Sequence, residues 1–427
     1  MKKLIVGAVS IVSALALLVG CTAPGVSAGV LESDKPRVTN PSVSVGDSQS
    51  LVNGNQQFAF DLYQTLLTSN TGNIFYSPHS ISEALAMTWA GARTTTETEM
   101  AQTLHFTLSQ DKLHPTFDKL DLELATRSQN ASDKSDQKGF KLNVVNAIWG
   151  QKDYKFLPAF LDVLKQNYGA GLRILDFIKE PEESRTTIND WVADQTNQKI
   201  KDLIPQGVIN DATRMVLTNA IYFNAAWKYK FEKTATTKGT FTNLTGSASS
   251  VDMMRILEPF KYGEGSNYQA IELLYDGDQI GMDIILPKSG TFGDFEKNMT
   301  AEQVNNILKG MTQQGVELTM PKFNIESEFS LKTQLTQIGM PEAFTSDADL
   351  SGMTGLKDLY IQDVVHKSFV NVDEEGTEAA AATGVVVGVT SILVPQATMT
   401  VDHPFVFLIR DIPTGEILFI GRVAEIK

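Results

Sequence analysis

Apolar positions along the chain follow two regimes. In the first half they recur at helical spacing. Over residues 55–67, Phe58, Leu62 and Leu66 share one face. Ser80-Ile81-Ser82-Glu83 has the form of a capping box and predicts a helix through Leu85, Met87 and Trp89, with Gly91 as its stop. Thr96-Glu97-Thr98-Glu99 repeats the signature ahead of Met100 and Leu104, and residues 182–197 predict a helix with Ile188, Trp191 and Val192 inward. Later, strand patterns dominate: residues 141–149, 214–223 and 269–286, the last a hairpin turning at Asp276-Gly277. Residues 316–323, 359–372, 404–410 and 417–423 follow in the same style. Helices early and strands late predict an α+β domain rather than a doubly wound sheet.

Residues 374–391 fit neither regime. Almost every side chain is small, an alanine run favouring helix followed by a valine run favouring strand. Read with period two, one face carries Thr377, Ala379, Ala381, Thr383, Val385, Val387 and Val389, with no charge. The other carries Glu378, Ala380, Ala382, Gly384, Val386, Gly388 and Thr390, with Glu378 its one charge. As a strand, residues 377–390 would span roughly 46 Å, far beyond the usual length. A surface linker and a buried helix remain open alternatives on composition alone.

The N-terminus reads differently again. Lys2 and Lys3 precede an uncharged apolar run from Leu4 to Gly20, the form of a secretory signal, with an uncleaved signal anchor as the alternative. Leu18-Val19-Gly20-Cys21 resembles the cleavage site of prokaryotic lipoproteins, which implies a lipidated Cys21, a membrane partner through that lipid, and an extracellular or cell-surface location. Residues 22–50, rich in Ser, Val, Gly and Pro without an apolar period, predict a flexible tether (21–50 with the anchor cysteine), leaving 51–427 as one large domain. Cys21 is the one cysteine of the 427 residues, so the mature domain relies on its core rather than on disulfides. The formal net charge of −14 argues against a nucleic-acid partner.

A search for catalysis finds no site. The five histidines, His79, His105, His114, His366 and His403, form no HExxH pair, and there is no thiolate cluster, GxSxG elbow or P-loop. No cofactor or metal is expected.

Five separated stretches resemble the serpin family: Asn73 through Ser77-Pro78-His79-Ser80-Ile81, Asn219 through Trp227, Val364-Val365-His366-Lys367, the hinge from Glu374 to Thr383, and His403 through Arg410 with Leu418 through Gly421. The resemblance covers nearly all of 51–427. It implies an α+β fold of three β-sheets and eight or nine helices, with an exposed reactive-centre loop over about 374–400. It also implies no enzyme but a serine protease inhibitor, a suicide substrate whose cleaved loop enters the central sheet while the protease is still an acyl-enzyme. On that pattern the hinge is Glu374, Gly376, Thr377, Glu378, Ala379, Ala380, Ala381, Ala382 and Thr383, with the small alanines suited to insertion. Counting from Gly376 puts the reactive bond at Thr390-Ser391, with Val389 and Leu393 as other candidates for the recognition residue. A small residue before the bond suits elastase-like or subtilisin-like proteases. Ser77, Ser80, Asn219 and His366 match a polar shutter below the insertion site, with Asn189 assigned beside them. Trp227 and Lys322 match the upper opening of the sheet, Lys322 pairing with Glu374. No basic cluster lies between Asp111 and Lys141, so no heparin-like cofactor is expected, and the chain is expected to act as a monomer. A non-inhibitory serpin acting as a binding or chaperone-like protein is the rival reading.

Overall fold

The computed structural model describes residues 28–127, 141–377 and 394–427. Cys21, the hinge residues from Glu378 to Thr383, and Thr390 and Ser391 lie outside them.

The strands are β1 (Gly29–Leu31), β2 (Ile74–Tyr76), β3 (Lys141–Gln151), β4 (Leu172–Leu175), β5 (Met215–Ala226), β6 (Thr237–Thr242), β7 (Ala248–Glu264), β8 (Tyr268–Leu274), β9 (Ile280–Pro287), β10 (Thr312–Pro321), β11 (Phe323–Ser330), β12 (Val364–Val372), β13 (Gly376–Thr377), β14 (Ala397–Thr400), β15 (Phe405–Asp411) and β16 (Ile417–Val423). The helices are α1 (Val45–Leu67), α2 (Pro78–Trp89), α3 (Thr94–Thr103), α4 (Gln110–Arg127), α5 (Pro158–Tyr168), α6 (Pro181–Gln195), α7 (Phe292–Lys297), α8 (Ala301–Gly310), α9 (Lys332–Ile338) and α10 (Ser351–Thr354).

The central sheet runs β1-β4-β3-β5-β13-β12-β11, and below β13 the strands β5 and β12 pair directly and in parallel. The second ladder runs β14-β10-β7-β8-β9-β15-β16-β2, with β6 on β7. The long strand β7 pairs with β6 and β10 over most of its length and with β8 at its end, so the other two sheets implied by the resemblance are one unbroken ladder through it. Helices α1 and α2 fill the space between the two ladders with a core that includes Phe58, Tyr63, Phe75 and Ile81. Across the front of the central sheet, Ile188 and Val192 of α6 with Leu203 and Ile204 close a second core over Trp149, Val216 and Val365.

Several expectations are adjusted. Helix α2 starts at Pro78, not at the predicted box. Ser77 is its cap, accepting from the Ser80 amide at 3.1 Å, and Pro78 suits the first turn, where no amide partner is needed. The flexible tether is corrected for residues 28–50. β1 pairs antiparallel with β4, the Val38 amide donates to the Gln166 carbonyl at 2.9 Å, Arg37 binds Asp118 and Asp121, and α1 already begins at Val45. Ion pairs and backbone bonds hold this segment, so it shows no apolar period.

Candidate functional site

Strands β5 and β12 pair from Leu217 opposite Val364 up to Tyr222 opposite Phe369, and then diverge. Into the opening fits β13. Thr377 lies opposite Val372 on one side and Ala225 on the other, antiparallel to both. The hinge is therefore already inside the sheet by two residues. Gly376 adopts φ of 153°, and a Cβ there would sit 2.1 Å from the Ala225 carbonyl oxygen, so only glycine fits the close approach.

Thr377 is fully buried, and its hydroxyl meets that of Tyr275 at 2.7 Å. Burial pushes the Tyr275 phenol far up, so it stays protonated and available to donate. Its ring stacks on Trp227 at 4.5 Å, while the Trp227 indole donates to the Asp373 carbonyl at 2.9 Å and its amide to the Glu375 carbonyl at 2.9 Å. Glu374 accepts from Lys322 at 2.9 Å and from Thr236 at 2.8 Å; burial opposes ionisation, but these bonds hold its carboxyl below the usual range. Glu375 lies 3.1 Å from both Lys230 and Lys233, a clamp that the sequence reading missed because neither lysine is near it in the chain.

Lower in the sheet, one register line crosses four strands: Asn146 of β3 opposite Asn219 of β5, Asn219 opposite His366 of β12, and His366 opposite Phe329 of β11. All face α2. His366 Nδ1 bonds to Asn219 Oδ1, and its Nε2 accepts from the Ser77 amide at 3.2 Å. Those partners require a neutral ring with the proton on Nδ1, and burial pushes its pKa down to about 3. Asn219 donates to Ser80 Oγ at 2.6 Å and to Asn146, and Asn146 donates to the Ser80 carbonyl at 3.1 Å and to Glu83 at 2.8 Å. Ser77, Ser80, Asn219 and His366 thus come together as predicted from the motif. Asn146 and Glu83 join them, and their one signal was the place of Asn146 across from Asn219 in a strand pair. Asn189 is a correction. It lies on α6 at the front of the sheet, where its amide group bonds the Ile204 amide at 2.8 Å and carbonyl at 3.0 Å, and it does not reach the cluster.

A strand gap already primed by a loop, above a polar seam, narrows the choice of family, and the comparisons decide it. A family model described as "Serpin (serine protease inhibitor)" matches residues 53–426. The chain belongs to the serpin family. This serpin is 40% identical over 390 residues to mouse leukocyte elastase inhibitor A, covering 88% of this chain and all of that one. It is 40% identical over 384 residues to an uncharacterized serpin-like protein of Thermococcus kodakarensis, covering 90% of this chain and 87% of that one. Among solved structures, Serpin48 of the insect Tenebrio molitor, described as highly specific, matches with a TM-score of 0.78 at 31% identity over 89% of this chain and 99% of that one. The thermophilic serpin tengpin in its native state matches with a TM-score of 0.80 at 26% identity over 94% and 100%. Relatives of this serpin thus include proteins named as elastase inhibitors.

Proposed function

We propose that this serpin is inhibitory and acts as a suicide substrate, its cleaved loop entering the gap between β5 and β12 before the acyl-enzyme can hydrolyse. The observation that carries this is β13 itself, seated in the gap and antiparallel to both neighbours. The register can be extended. Six residues beyond Thr377 is Thr383; six back from Ala225 is Asn219, and six back from Val372 is His366. Insertion in register would set Thr383 between the two residues whose side chains now bridge the seam, on the same face as Thr377. Its hydroxyl offers both a donor and an acceptor to replace the bond that insertion breaks. The rest of that face, Ala379 and Ala381 then Val385 and Val387, is uncharged and suits burial against α2.

The reactive bond in this reading is Thr390-Ser391, and the partner is an elastase-like or subtilisin-like serine protease. The elastase-inhibitor relatives support that class, and the absence of Arg and Lys from residues 374–391 disfavours trypsin-like enzymes. The experiment is thermal. Nicking the loop at this bond should raise the melting temperature well above that of the intact chain, because a new central strand is added. Equal melting temperatures would sink insertion.

We also infer that the chain is a monomeric prokaryotic lipoprotein, anchored at the cell surface through Cys21 in Leu18-Val19-Gly20-Cys21. Because the domain begins packing at Ala28, the reach from Cys21 to the domain is at most about 25 Å even fully extended. The inhibitor would work close against the membrane.

A further inference from the structure

Opening the gap by one strand spacing, about 4.8 Å, moves one half of the central sheet relative to α2. The β11–β12 half is fastened to the second ladder, since Ser368 Oγ donates to the Phe75 carbonyl at 2.6 Å and the Phe75 amide to Ser327 Oγ at 3.0 Å. The β3–β5 half meets α2 through the side chains of Asn219 and Asn146, so these bonds bear the shift. One of them ends on an ionisable group, Glu83, buried on α2.

We propose that Glu83 is a positioning residue for loop insertion, its carboxylate anchoring the moving half of the sheet to α2 through Asn146, so that protonating Glu83 loosens the anchor and speeds insertion. The inference rests on the insertion reading above. The anchor is strongest when the acceptor is charged, and pulling Asn146 away then leaves a buried carboxylate short of a donor. Burial and the Asp121 carboxylate push the Glu83 pKa up to about 7, against the lowering pull of His79, the Asn146 hydrogen bond and Arg37. The carboxyl is therefore protonated below that pH and ionised above it. The other titratable groups around it are Asp118 and His114 of α4, Tyr168 of α5, and Glu416 behind His79. Burial holds His114 down at about 4, out of the same range.

The test uses no protease. A synthetic peptide of residues 377–389 is incorporated into the intact protein between about pH 5.5 and 8.5, and the rate is read on native gels. Incorporation should be about fivefold faster at the acid end, the difference between breaking a hydrogen bond to a neutral and to a charged acceptor. Glu83→Gln should be flat, at the acid rate of the wild type. Arg37→Gln, which removes a cation, should move the midpoint up. A wild-type rate independent of pH retires Glu83 and leaves insertion standing, as does a slope that survives in Glu83→Gln. A midpoint unmoved in Arg37→Gln also contradicts the assignment. A peptide that never incorporates overturns both readings.

Discussion

Thr377→Arg strikes the residue that the structure already holds in the gap. Thr377 is fully buried between Ala225 and Val372, and its hydroxyl lies 2.7 Å from Tyr275. Arginine removes that hydrogen bond, about 1 kcal/mol net, and leaves the buried Tyr275 hydroxyl without its partner. It also brings a cation into a space lined by Tyr275, Ala225 and Val372, where an unpaired buried charge costs several kcal/mol even after relaxation. If only about 3 kcal/mol of this is felt, occupancy of the gap by the hinge falls more than about a hundredfold. The loop stays out, insertion starts late, and deacylation wins. The assay is the fraction of cleaved serpin found in SDS-resistant complex with the protease, which should fall below about a tenth of the wild-type value by the same conversion. Thr377→Val, which loses the hydroxyl alone, should cost far less, and Glu378→Arg, which strand alternation would put on the opposite face once the loop is inserted, should be mild. If Thr377→Arg traps protease as well as the wild type does, the hinge does not work by burial.

Three further outcomes are expected. Asn189→Ala leaves the Ile204 amide and carbonyl unpaired, so urea unfolding should show about 2 kcal/mol lost from the native state, while complex formation persists, unlike at Asn219. With a folded-state pKa of about 3 against an ordinary 6.5, His366 binds its proton only in the unfolded chain across that window. Its contribution is therefore whole above about pH 6.5 and is lost as pH falls towards 3, and a His366→Gln variant should show a shallower loss of urea midpoint on acidification. Cys21→Ser should shift the protein from the membrane fraction to the medium or stall its processing, and a mature wild-type chain without lipid would end the anchor idea.

What the sequence revealed divides along physical lines. Dense runs of β-branched and aromatic residues exposed the hairpin of β8 and β9 and strand β16, because β9 and β16 are buried along their whole length. It did not expose β7, whose run includes Pro259 and Gly263, nor α4, which carries Pro115 and a charged surface. The hinge and the seam were legible as motifs, since few residue types suit a buried close approach at Gly376 or a neutral buried imidazole at His366. Asn146 and Glu83 were not, because which side chains meet across β3 and α2 depends on register and helix placement rather than on spacing. Asn189 shows the converse error, a polar residue near the right motifs whose partners lie on the other side of the sheet.

The most direct test is one encounter with an elastase-like or subtilisin-like protease, analysed on denaturing gels and by mass spectrometry. Suicide inhibition by insertion should give an SDS-resistant conjugate of the two proteins and a released peptide running from Ser391 to Lys427. A protease that cuts this loop, stays fully active and leaves only cleaved, unconjugated serpin would contradict it.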